Sequence, residues 1–119
     1  ERSSLDRSGV GRNGHHVRVE AVTLDGWCER HAVEPDLIKI DTEGHDHAVL
    51  MGGTGILRRR RSVVMFEALT PIERDRCIAF FNGLDVGYAI RRIYRDGNLA
   101  DPHSEGAGAT NNYIAMTAR

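Results

Sequence analysis

Residues 36–50 read DLIKIDTEGHDHAVL, and this stretch decides the fold. Its first half is apolar and β-branched, as a buried strand is. Its second half reads as a helix, and Gly44 permits the sharp turn between them. The strand ends by delivering Lys39, Asp41, Glu43, His45 and His47 within nine residues. Alternation places Leu37, Lys39 and Asp41 on one face, and Ile38, Ile40 and Thr42 on the other. Glu43 continues the first series just past the strand. Open α/β sheets bind ligands beyond the carboxyl ends of their parallel strands, so these side chains form a candidate polar rim. A second apolar strand, SVVMFEA (62–68), ends on Glu67, which reaches the same rim.

Two readings of the rim stay open. In one, Lys39 is a buried cation satisfied by Asp41 or Glu67, because buried charges must pair whether or not they work. In the other, the rim handles a proton or grips a charged ligand. His45-Asp46-His47 looks like a ligand set, but residues two apart on a helix face nearly opposite ways, whereas helical zinc pairs sit four apart. No metal is expected. His45, on the first helical turn beside the rim, stands as a lone candidate base.

Outward from the rim, the helix over HDHAVLMGGTGILRRR breaks at Gly52-Gly53, with Thr54 able to cap a second short turn. VRVEAVTL (17–24) alternates like a half-buried strand. DGWCERHAV follows as a short helix capped by Thr23 or Asp25 and ended by Pro35. TPIERDRCIAFFNG opens with a Thr70–Glu73 capping box and Pro71 at its first helical position, and stops at Asn82-Gly83. VGYAIRRIY and NNYIAMT are two closing strands, and the long connection between them is either mobile or functional. With no helix between them, they should pair antiparallel. Trp27, Phe80 and Phe81 are expected in the core, and Arg58–Arg61 on a solvated helix end.

Residues 1–16 are polar and glycine-rich and read as loop, or as the remnant of an upstream segment. Within them Gly9, Gly11 and Gly14 match GxGxxG letter for letter. The dinucleotide fingerprint needs a strand before it and a helix after it; neither flanks it here. The chain begins at Glu1 in this loop-like stretch, which reads as a piece of something longer. Residues 17–119 form the folded portion.

The chain has 119 residues, 40% apolar and 28% charged, with a formal net charge of -1. This fits one soluble domain. Near-neutral charge gives no reason to expect a nucleic-acid or membrane partner, and no apolar run approaches the roughly 20 residues of a membrane span. Cys28 and Cys77 form no CxxC motif, so a reducing cytoplasm is the default location. Of sixteen basic residues only Lys39 is lysine. Genome composition accounts for such a bias, but the lone titratable amine lies within the rim.

The ordered set Thr23-Leu24-Asp25, Lys39-Ile40-Asp41, Glu43-Gly44, Leu50, Gly52 and Phe66-Glu67 resembles the C-terminal part of the FkbM-type methyltransferases. Ser3-Ser4-Leu5 adds a weak match. The resemblance implies an α/β fold: a Rossmann-like methyltransferase sheet, mostly parallel with an antiparallel closing strand pair. The N-terminal half with the cofactor loop would be missing from this chain. It implies S-adenosylmethionine as cofactor, with Asp41 and Glu67 as contacts, and a small-molecule acceptor bearing a hydroxyl, a sugar or natural product. A rival likeness, of EPDLIKID and FEAL to EAL-type cyclic-dinucleotide phosphodiesterases, fails on order. There the Glu-Ala-Leu segment comes first, and the chain is too short for a barrel of about 250 residues.

Methyl transfer to a hydroxyl needs alignment and a proton acceptor. Asp41 and Glu43 are the first candidates and His45 the second, with Lys39 holding the carboxylates ionised. The alternative from another class is a truncated, non-catalytic domain acting as a binding module. In either case the strand at 37–41 should lie at a sheet edge and invite self-association.

Overall fold

The computed structural model describes residues 17–118, so the loop reading of residues 1–16 lies outside the described residues. The elements in chain order are α1 (Leu24–His31), β1 (Leu37–Lys39), α2 (Asp46–Met51), α3 (Thr54–Arg60) and β2 (Val63–Glu67). They continue with α4 (Pro71–Leu84), β3 (Tyr88–Tyr94), β4 (Leu99–Ala100) and β5 (Ala109–Thr117).

Local chemistry sets most of the boundaries. The Thr23 side chain accepts from the Gly26 amide and starts α1, which ends at a left-handed Ala32. The Thr70 hydroxyl accepts from the Glu73 amide at 3.1 Å, and Glu73 reaches back to the Leu69 amide at 3.2 Å. That capping box starts α4 with Pro71 in place, and the helix runs to Leu84 before a left-handed Asp85 stops it. The break at Gly52-Gly53 separates α2 from α3. Thr54 does not cap α3; its hydroxyl donates to the Met51 carbonyl, and a distant side chain supplies the cap.

The five strands form one sheet in the order β1-β2-β5-β3-β4. β1 and β2 pair parallel, with Lys39 opposite Met65. β5 runs antiparallel to both β2 and β3, and β4 antiparallel to β3. The sheet is therefore mixed and mostly antiparallel in its pairings, not mostly parallel. β1, β2 and β3 do point the same way. However, β3 and β5 are joined without a crossover helix, so β5 must return antiparallel. It returns into the slot between β2 and β3, which breaks the parallel ladder. The expected closing pair, β3 with β5, is antiparallel.

One face of the sheet carries the core. Val64, Phe66, Ile90, Tyr113 and Ala115 pack against Leu50, Ile56, Leu57, Cys77, Phe81 and Leu84 from the helices. Each large side chain buried in this way contributes about 1.5–3 kcal/mol relative to exposure. On the other face Leu37, Lys39, Ala89 and Arg91 are exposed, and Val63, Met65, Ile114 and Met116 are half-buried. The alternation expected along 37–42 holds: Ile40 is buried, Ile38 and Thr42 half-buried, and the other series exposed.

Two further expectations are corrected. Residues 17–23 form no strand; Val17 and Val19 are 79% and 58% exposed. An alternating pattern becomes a strand only beside a partner edge, and no described strand pairs with this segment. Trp27 is not core: it is 43% exposed and packs on His31, ring centroids 4.5 Å apart. The long connection before the last strand contains β4, which folds back on β3.

Candidate active site

The rim is built around a residue that spacing alone did not mark. Asp46, only 2% exposed, opens α2. One carboxylate oxygen accepts from the Thr42 amide at 3.0 Å and from the Thr42 hydroxyl. The other accepts from the Glu67 amide at 2.8 Å. A single buried carboxylate thus ties the end of β1 to the end of β2. The Thr42 hydroxyl in turn accepts from the His45 amide at 3.1 Å. In the sequence, Asp46 reads as the middle of a metal-like triplet. Its tie to Glu67, 21 positions away, has no local signature.

This clamp fixes a demanding turn. Glu43 has φ 54° and Gly44 φ 107°, two successive left-handed residues. Glycine adopts that conformation freely; a glutamate there stores roughly 1–3 kcal/mol. Among the described residues the other non-glycine positions with positive φ, Ala32, Arg61 and Asp85, all close helices. Glu43 caps nothing.

Lys39 Nζ lies 4.0 Å from Asp41 Oδ2, with both side chains about two-thirds exposed (64% and 65%). This is a solvated pair and not the buried ion pair considered from the sequence, and such pairs contribute little stability. Glu67 is half-buried beside them. Desolvation, then the neighbouring Asp41, Asp46 and Glu43, push its carboxyl above the usual range, against the opposing pull of Lys39. Asp41, Glu43, Glu67 and Lys39 therefore do share one electrostatic neighbourhood, as the strand alternation predicts.

His45 is the exposed residue that precedes α2, its Nδ1 3.4 Å from the Thr42 carbonyl. A proton on Nδ1 facing that carbonyl leaves Nε2 free to accept another. His47 faces elsewhere, edge-on to Phe80 with ring centroids 6.3 Å apart, and burial lowers its pKa. Among the described residues no group of three or more His, Cys, Asp or Glu side chains is placed to hold a metal. Both cysteines are buried and free, and burial pushes the Cys77 thiol up to about 12.

Other motif residues are structural. Asp25 accepts from the amides of Gly55 and Ile56, each at 2.8 Å, and so caps α3 across 30 positions. The arginine run pins neighbouring segments: Arg59 pairs with Glu34 at 3.0 Å, Arg60 with Asp36, and Arg58 donates to the Leu84 carbonyl. None of the described helices is long and apolar enough to cross a membrane.

A family model described as the methyltransferase FkbM domain matches residues 1–96, a span that includes every rim residue. It begins upstream of the stretch that carries the sequence resemblance and ends before β4. No curated protein and no solved structure matches the chain. With 96 of 119 residues matched and the rim assembled where the parallel strands end, the chain belongs to the FkbM methyltransferase family.

Proposed function

We propose that the rim takes part in S-adenosylmethionine-dependent methylation of a hydroxyl on a small molecule such as a sugar or natural product. The observation that carries this reading is the strained turn: Glu43 is held left-handed, outside any helix cap, at the open end of β1. Strain that the surrounding structure over-determines concentrates at functional sites.

The donor set fits a cationic cofactor. Asp41, Glu43 and Glu67 offer three carboxylates on one solvent-open rim, suited to ammonium and hydroxyl groups, with Asp41 and Glu67 as the proposed contacts. Bound there, S-adenosylmethionine supplies an electrophilic methyl group. The chain's own task is to orient the acceptor oxygen and take its proton. Glu43 and His45 stand at the turn for this, and the Thr42 carbonyl favours the His45 tautomer whose Nε2 accepts. Asp46 keeps the turn rigid without touching the reactants. Lys39 offsets part of the negative charge gathered around Glu67.

A Glu43→Gly exchange separates function from architecture. Glycine relieves the backbone strain, so the folded state should lose no more than about 1 kcal/mol, the ordinary flexibility cost of glycine. Methyl transfer by the complete protein should fall about 100-fold, the lower range for a lost acid–base group. Full activity in the glycine variant would remove Glu43 from the site and the proposal's main support with it.

A further inference from the structure

On the helix-covered side of the sheet's upper end, one residue beyond Glu67, lies a cleft of about 270 Å³. Its walls include Thr70 and Arg74 at the start of α4, Arg92 on β3, and Glu105, Asn111 and Tyr113 around the start of β5. The family match ends at residue 96: Arg74 and Arg92 lie within the matched span, and the wall at 105–113 lies beyond it.

Its two guanidinium groups differ in kind. Arg74 is charge-paired, its Nε 2.9 Å from Asp75 Oδ1. Arg92 is not. Its Nε donates to the Thr110 carbonyl and its Nη1 to the Ser104 carbonyl, both at 2.7 Å, and its Cζ sits 5.5 Å from the Tyr113 ring centre. Every one of those partners is neutral. No carboxylate among the described residues lies within ion-pair distance of Arg92, although its side chain is half-buried. Two carbonyls fix the fork, and among the described residues Nη2 has no hydrogen-bond partner. A half-buried guanidinium whose fork is already held in place is well matched to an oxyanion. Asn111 adds an exposed side-chain amide on the same wall. Glu105 also lines the cleft, and its carboxylate opposes an anion there.

We propose that this cleft binds an oxyanion group of the methyl acceptor, with Arg92 as anchor and Asn111 as second donor. The acceptor is then an acidic hydroxyl compound: a sugar acid, a hydroxy acid or a sugar phosphate. The volume suits a small ligand or one end of a larger one. The inference rests on the methyltransferase reading for the word acceptor; the anion site itself does not.

The test is a side-chain NMR titration of the 15N-labelled chain, without methyl donor, using D-glucuronate, D-glucose and inorganic phosphate. The chain carries Leu37→Lys on the exposed β1 edge, away from the cleft, to keep it monomeric. Glucuronate or phosphate should shift the Arg92 Nε resonance saturably, and glucose should not; the tighter of the two anions tells carboxylate from phosphoryl. Arg92→Lys keeps charge but loses the fork and risks loosening the loop, so Asn111→Asp serves as the second variant. It opposes an anion without touching the Arg92 clamp and should weaken binding about 10-fold, whereas Glu105→Gln should tighten it. An Arg92 response to glucose equal to that for glucuronate, no response to either anion, or an Asn111→Asp variant that binds normally would overturn the proposal. Anion binding in a complete protein that transfers no methyl group would keep the site and discard the enzyme reading instead.

Discussion

At the scale of single residues, the rim separates carboxylates by task. Asp46 is consumed by three hydrogen bonds and holds the strand ends together. Glu67 is the half-buried member whose pKa lies above the ordinary glutamate value of 4.5, mainly through desolvation. A carboxyl raised in the folded state binds its proton more tightly there than in the unfolded chain. Its contribution to stability is thus complete below the unfolded value and is lost as pH rises through the folded one. Glu67→Gln should therefore flatten the fall in stability above pH 4.5 and leave the variant no less stable than the parent near neutrality. Urea unfolding at a series of pH values measures both, and an unchanged slope would show that Glu67 is not the group responsible. Lys39, Asp41 and Glu43 were legible in the sequence because strand alternation is a local rule. Asp46 was not, since the Glu67 amide that gives it meaning comes from another strand.

Among elements, the motif residues divide along a line the sequence did not draw. Thr23, Leu24, Asp25 and Gly52 belong to the same ordered pattern as the rim, yet they form a latch between α1 and the α2–α3 break. The Asp25 amide donates to the Gly52 carbonyl at 2.8 Å, and the Asp25 carboxylate caps α3. The paired glycines were legible as a helix break. That they also make room for α1 was not, because close approach is a tertiary fact. A Cβ on Gly53 would stand 2.6 Å from Leu24 Cδ2 and 3.3 Å from its Cγ, whereas one on Gly83 in α4 would meet nothing within 4 Å. Gly53→Ala should destabilise by about 1–3 kcal/mol through overpacking. Gly83→Ala should stabilise by roughly 0.5–1 kcal/mol through helix propensity and a less flexible unfolded chain. Denaturant midpoints for the two variants should move in opposite directions; movement in the same direction would refute the latch.

For the whole molecule, the element types and their order from α1 onward were largely readable, while the sheet's outer arrangement was not. The 17–24 alternation has no described partner edge, and the slot that β5 occupies depends on where β3 lands. The consequence is an asymmetric sheet. All four helices contribute to or pack beside the core on one face, and β1 ends the strand order with no described strand on its outer edge. Leu37 on that edge is 58% exposed, next to half-buried Val63 and Met116 in register on the open face. An unpaired edge flanked by apolar side chains templates association with another chain. We expect the 119-residue chain to self-associate at micromolar concentration through this edge. Leu37→Lys places a charge where natural edges carry one and should return it to monomer without loss of thermal stability. Light scattering coupled to gel filtration decides the matter. A parent chain already monomeric at the same concentration, or a Leu37→Lys variant that associates as strongly, would show that the β1 edge is not the contact.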